Sequence, residues 1–323
     1  MNTFLKYTAF VFSVFFFLYA IWFAFLGPIS KSTETVIFVI PQDRSNFQLT
    51  DSLFDQKLIK NKWAFNFLFS NFSKIIEVKE GGYKLSQSMN SWQVLNKLQS
   101  KQDLLWVNIF FCPRKEQVGE KLANILGWNE QKLNSWNNLS KGTDYFEGVY
   151  YPDTYLIPVD ESVEETAQRF TRNFTEKFTP LERGFLDKNI KWTTGLKIAS
   201  LIAREAAGRE DAKLISGIIW NRLNTDMRLQ IDATMQYTLG KNENGSWWGN
   251  ISLEEKQSDS LYNSYKHEGL PPTPICSPNI DFIEAALNPQ DSDCLFYLHG
   301  SDRQIHCAET YTDHKANITK YLN

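Results

Sequence analysis

In the segment TTGLKIASLIAREAAG, residues 193–208, apolar side chains recur at helical spacing through Leu196, Ile198, Ala199, Leu201 and Ile202. Glu205 stands three and four residues beyond Ile202 and Leu201, which puts a carboxyl group on the apolar stripe of the helix. Removal from water penalises the ionised form, so such a carboxyl keeps its proton toward neutral pH and can donate it as a general acid. A structural carboxylate fits the same pattern: an i,i+4 ion pair with Arg209, or a pairing with a core arginine such as Arg222.

The other reactive side chains narrow the chemistry. Cys112, Cys276, Cys294 and Cys307 form no CxxC pair and no zinc-like spacing, and no spacing in the chain implies a metal or a cofactor. Cys294 and Cys307 flank CLFYLHGSDRQIHC, which reads as a hairpin centred on Gly300-Ser301. A symmetric register sets the two directly opposite each other, within reach of a disulfide; two buried thiols are the alternative.

These residues need elements to hold them. A chain of 323 residues has room for about two folded units. Lysine and arginine total 34 against 37 aspartates and glutamates, with no long block of one sign, so the basic stripe of a nucleic-acid binder is missing. No charged residue occurs from Tyr7 to Ser30, and Thr8 to Leu26 is almost continuously apolar, long enough to span a bilayer at about 1.5 Å per residue. The alternative is a cleaved signal peptide, whose apolar region runs about 7–15 residues and ends in a small-x-small site, whereas this run is longer and ends bulky. The expected organisation is a cytoplasmic tail at 1–7, a transmembrane helix at 8–27, and an outward-facing remainder, with Lys6 before the span and Lys31 after it.

Past the span, Val36–Ile40 reads as a strand, Leu49–Leu58 and Trp63–Phe72 as amphipathic helices, and IIEVKEGGYKL, 75–85, as a strand. The order recurs with a strand at Leu105–Phe111, helices near Val118–Leu126 and Glu130–Trp136, and a strand at 153–158. The pattern predicts an α+β region over 28–104 and a β-α-α-β, LysM-like module over 105–160. From Ser162 the pattern is mainly helical, opened by a Ser-x-x-Glu capping box and continued by helices at Gly195–Ala206 and Asp211–Leu223.

Six further segments accompany IAREA: NRL at 221–223, RLQIDAT at 228–234, YNSY at 262–265, GLPPTPI at 269–275, AALNP at 285–289 with the LFYLHG hairpin, and EGVYYPDTYLIP at 147–158. The ordered series resembles the endolytic murein transglycosylases of the YceG-like family, over nearly the whole chain. The resemblance implies one N-terminal membrane anchor, a LysM-like module, and an α-rich, lysozyme-like catalytic domain over 161–323. It implies cleavage of the β-1,4 bond between N-acetylmuramic acid and N-acetylglucosamine without water, on nascent glycan strands beside the membrane, with peptidoglycan synthases as expected partners. The family's catalytic glutamate, second acidic position of E-[KR]-E-[TA], falls on Glu205; its first acidic position is Ala203 here. The family's C-terminal histidine and phenylalanine fall on Ile305 and Cys307, with Thr310 and His314 matching and His306 one place out of register. A local bulge restores that histidine, or this edge of the cleft does without one.

One carboxyl suffices for a transglycosylase, whereas hydrolysis normally needs a second about 5–9.5 Å away. Asp232 is the candidate for that place, and is equally readable as a loop cap or a substrate-orienting group. Gln230, Tyr262, Asn263 and Tyr265 carry groups able to hold N-acetyl and hydroxyl groups of a glycan, or to make ordinary loop hydrogen bonds. Pro271, Pro272 and Pro274 stiffen a fixed cleft wall after Gly269. Trp247 and Trp248 offer stacking faces for sugars, or one packs inside while the other is exposed. Two rival readings follow: a glycan-binding scaffold without catalysis, motivated by Ala203 and the displaced His306, and a muramidase hydrolysing through Glu205 and Asp232.

Overall fold

The computed structural model describes residues 3–72, 78–139 and 147–322. Thr3–Phe25 forms helix α1. Its segment Tyr7–Phe25 has a mean hydropathy of 2.1, none of it is buried in protein, and it is long and apolar enough to cross a membrane.

The chain divides into two compact units, 1–107 with 155–161, and 108–154 with 162–323. The segment 105–160 is therefore shared between them.

In the first unit β1 (Thr35–Ile40), α2 (Leu49–Asp55), α3 (Lys62–Phe72), β2 (Gly81–Ser86), α4 (Ser91–Leu98) and β3 (Leu104–Asn108) follow in order, and β4 (Thr154–Pro158) completes a sheet ordered β1-β2-β3-β4. The β-branched run of β1 pairs antiparallel with β2 from Thr35↔Ser86 to Ile40↔Gly81, until Pro41 removes the next donor. Phe38, Ile40, Phe65, Tyr83 and Leu95 meet in the core. The strand expected over 75–85 begins at Gly81, and residues 75–77 lie outside the described residues. Helix α4 was not expected, although Asn90 and Gln93 form a reciprocal capping box, each side chain bonded to the other's backbone N–H at 2.9 Å.

The second unit holds α5 (Lys115–Leu126), α6 (Glu130–Asn138), α7 (Val163–Asp187), α8 (Trp192–Glu205), α9 (Arg209–Asn224), α10 (Asp232–Leu239), α11 (Ile280–Leu287), the hairpin β5 (Phe296–His299) and β6 (Ile305–Ala308), and α12 (Tyr311–Tyr321). The expected cap of α7 forms: Ser162 Oγ accepts from the Glu165 N–H at 3.2 Å while the Glu165 carboxylate accepts from the Ser162 N–H at 3.0 Å. α8 lies against α7, α9, α10 and α11, and its residues from Leu196 to Ala203 are buried except Lys197. Gly195 lets α7 approach, since a Cβ there would lie 2.1 Å from the Phe185 ring.

The hairpin forms in a different register from the symmetric one. Tyr297 pairs with Cys307 and His299 with Ile305, so the turn centres on Asp302. The reason is local: the Asp302 carboxylate accepts from the Gln304 N–H at 3.0 Å, Gly300 N–H bonds Gln304 O at 2.9 Å, and Arg303 takes a left-handed φ of 62°. Cys294 is therefore not directly opposite Cys307, yet the two are bridged, with Cα atoms 5.8 Å apart. A second bridge, Cys112–Cys276, spans 164 residues of sequence, and nothing in the local pattern foretold it.

Candidate active site

Glu205 is the last residue of α8, where the buried helix ends and the chain leaves the core through half-buried Ala206 to exposed Ala207 and Gly208. The buried helix is fixed on one side by Ser200, whose Oγ accepts from the Ile275 N–H at 3.1 Å. A helix C-terminus already disfavours a negative charge, and burial pushes the half-buried Glu205 carboxyl above its ordinary range. The nearby charge of Asp232 pushes the same way, while the Tyr297 hydroxyl, Arg204 and His299 oppose it. The two arginines that offered a structural pairing are engaged elsewhere: Arg209 pairs with Asp281 at 2.7 Å, and Arg222 donates to the carbonyls of Leu229 and Leu295.

The hairpin supplies the facing wall. Tyr297 donates its hydroxyl to Glu205 Oε2 at 2.5 Å, and His299, two residues on and therefore on the same strand face, bonds Asp211 of α9 through Nε2 at 3.0 Å. Burial pushes the Tyr297 phenol well above its ordinary value. LFYLHG was legible as a hairpin, but its tyrosine and histidine were not singled out; alternation along the strand was the available signal. Arg222, read from the sequence only as a candidate partner for Glu205, is buried and ties the backbone before Gln230 to the backbone before Tyr297. No bulge restores His306. It pairs with Leu298 on the opposite face, bonds Asp302 at 2.8 Å and stacks on Tyr321 with ring centres 3.4 Å apart.

The third wall carries the polar residues singled out in the sequence. Gln230 is exposed, has a left-handed φ of 52°, and its N–H bonds Ser264 O at 3.0 Å. Asp232 opens α10; its carboxylate accepts from the Tyr265 hydroxyl and ion-pairs with Lys256 at 2.8 Å. Asn263 is fully buried, donating to Ser258 O at 2.7 Å and Lys256 O at 3.0 Å and accepting from the Tyr265 N–H at 3.0 Å. Its amide is thus spent on shaping the loop that aims Lys256 and Tyr265. Tyr262 shares a 2.7 Å hydrogen bond with Thr273 in the proline segment, where Pro271 is buried. The Cys112–Cys276 bridge anchors the end of that segment, and Ser277 N–H bonds Pro113 O at 2.9 Å.

Beyond Arg204 lies an aromatic and cationic shelf. The Arg204 guanidinium sits 4.0 Å over the Trp248 ring, and Arg114, at the start of α5, sits 4.2 Å over Tyr237 and 4.8 Å over Trp247. Both tryptophans are half-buried, and both indoles donate to α5, Trp247 to Glu120 at 3.0 Å and Trp248 to Gln117 at 3.2 Å. Beneath them Glu147 is buried among the Lys115 N–H at 3.1 Å and the Tyr237 hydroxyl at 3.2 Å, and burial raises its pKa to about 8.

The profile of the YceG-like family matches residues 38–320. The endolytic murein transglycosylase of Streptococcus pneumoniae serotype 2 is 27% identical over 92% of this chain and 60% of its own length, so the chain spans less than two thirds of that relative. The endolytic murein transglycosylase of Bacillus subtilis is 25% identical over 92% of this chain and 88% of its own. The crystal structure of a YceG-like protein from Listeria monocytogenes matches with a TM-score of 0.59 at 25% identity, covering 88% of this chain and 99% of that one.

Proposed function

The chain belongs to the YceG-like family, and from that premise we propose that it is a peptidoglycan lytic transglycosylase with Glu205 as its acid/base. One observation carries the reading: a carboxyl at the end of a buried helix, pushed toward its protonated form by burial and held through one oxygen by Tyr297. With Oε2 so held, the proton is presented on the other oxygen. Glu205 gives it to the glycosidic oxygen as the bond from C1 of N-acetylmuramic acid breaks. The C6 hydroxyl of the same sugar then bonds C1, and its proton returns to Glu205. Atoms balance without water, and the product ends in 1,6-anhydro-N-acetylmuramic acid.

Asp232 fits a supporting role better than that of a hydrolytic base, because Lys256 and Tyr265 already engage its carboxylate. In this reading Gln230, Tyr265 and the edge of Tyr262 meet the glycan, while Asn263 and Pro271 hold the wall they stand on. α1 serves as a single-pass anchor with the catalytic residues on the extracytoplasmic side, near the enzymes that make new strands. The β3-α5-α6-β4 order supports a LysM-like, glycan-binding part for 105–160, followed by the catalytic region at 161–323.

The test is mass spectrometry of purified glycan strands treated with the full chain and with Glu205→Gln. Anhydro ends from the wild type alone support the reading. Reducing ends favour hydrolysis, and strand binding without any product favours a scaffold.

A further inference from the structure

The first unit carries an aromatic face that an aqueous protein would not expose. On α3 the inner positions Ala64, Phe65 and Leu68 are buried, as an amphipathic helix requires. The outer positions mix the polar Asn66, Ser70 and Asn71 with large aromatics: Trp63 is 76% exposed and Phe67 56%, stacked one turn apart with ring centres at 6.2 Å. Phe72, 51% exposed, meets Trp92, 43% exposed, edge-on at 5.2 Å. Two exposed aromatic pairs on one short helix and its neighbour mark a contact surface.

What covers it follows from where its two ends are tied. Lys60, three residues before Trp63, donates to Phe23 O at 3.0 Å and lies 4.1 Å over the Phe23 ring, in the last turn of α1. Ser91, next to Trp92, donates its N–H to Leu26 O at 2.8 Å, one residue past the end of α1. Both ends of the strip are thus fastened at the point where the apolar helix stops. On α1 itself Tyr19 and Trp22 sit 5.8 Å apart just before that point. Tyrosine and tryptophan gather where hydrocarbon gives way to headgroups, since their rings are apolar and their tips polar.

We infer that the outer face of α3, with Trp63, Phe67, Phe72 and the adjoining Trp92, seats in the headgroup layer of the bilayer that α1 crosses. The inference rests on α1 being a membrane span. It makes the first unit an interfacial element attached at two places, by the span and by the aromatic strip, which restrains its swing about the exit of α1.

The experiment places a fluorophore on a single added cysteine in the full chain, Phe67→Cys or Phe12→Cys, with the native cysteines left bridged. The chain is reconstituted in phosphatidylethanolamine–phosphatidylglycerol vesicles containing lipids with nitroxides at shallow or deep positions. Position 12 is expected to be quenched best by deep nitroxides, and position 67 at least about twofold more by shallow than by deep ones. Quenching at 12 with none at 67 overturns the inference while the span stands. Emission at 67 that is shifted to the blue yet unquenched by lipid also overturns it, and shows that a protein, such as a second copy, covers the face. No quenching at either site refutes the span, and the inference falls with it.

Discussion

The Tyr297 hydroxyl lies 2.5 Å from Glu205 Oε2, joining the β5 hairpin to the C-terminus of α8 across 92 residues of sequence. A phenol donating to a carboxylate favours the ionised form, and here it opposes burial, the larger influence on Glu205.

Replacing Tyr297 by phenylalanine removes that bond and leaves the ring. The pKa of Glu205 then rises further, so the protonated acid persists to higher pH and the alkaline limb of the rate profile moves up. Loss of a hydrogen bond to a charged group is expected to lower kcat about 10- to 100-fold at neutral pH. A pH profile of anhydro-product release checks both effects; a limb that stays in place would separate Tyr297 from the acid.

Asp232→Asn shifts the limb the other way. The Asp232 charge raises the Glu205 pKa, and its removal leaves the Lys256 ammonium uncompensated nearby. The alkaline limb is expected to move down, with anhydro ends still the product and a rate loss smaller than that of Glu205→Gln. Loss equal to that of Glu205→Gln would restore Asp232 as a direct participant.

Glu147 makes stability depend on pH. Its pKa is about 8 in the fold against 4.5 as the reference, so between those values the folded chain holds a proton that the unfolded chain has lost. The contribution is fully present below about pH 4.5 and is lost as pH rises toward 8, at about 1.4 kcal/mol per pH unit. Stabilities from urea unfolding of wild type and Glu147→Gln between pH 5 and 8 are expected to fall with pH more steeply in the wild type, because the variant keeps only the contribution of other raised carboxyls such as Glu205. Equal slopes would mean that other groups set the dependence.

The Cys294–Cys307 bridge closes the hairpin beside Tyr297, whose cross-strand partner is Cys307. Serine at both positions is expected to cost about 3 kcal/mol and to lower kcat by loosening Tyr297. Thermal melting and product release on one preparation check this; lost stability with unchanged kcat would show that β6 and Arg222 suffice to place the tyrosine.

The sequence by itself determined what depends on local order. Apolar periodicity put Glu205 on a buried face, the uninterrupted run at 8–26 marked α1, the β-α-α-β order appeared twice, and Ser162 with Glu165 fixed the start of α7. Spacing within a few residues settles such features, because helix and strand geometry repeat over that range. Tertiary structure decided the rest. Asn263 has the same donors and acceptor whether it faces a glycan or a loop, and only the fold shows them used by Ser258, Lys256 and Tyr265. Asp232 is read as a paired carboxylate because the loop carrying Lys256 and Tyr265 returns to α10. The hairpin register turned on the Asp302 turn, which put Tyr297 and His299 on the site face and His306 on the other. Cys112 and Cys276, and Tyr297 and Glu205, meet only because separate segments close on α8, and such long-range meetings leave no periodic trace in the chain.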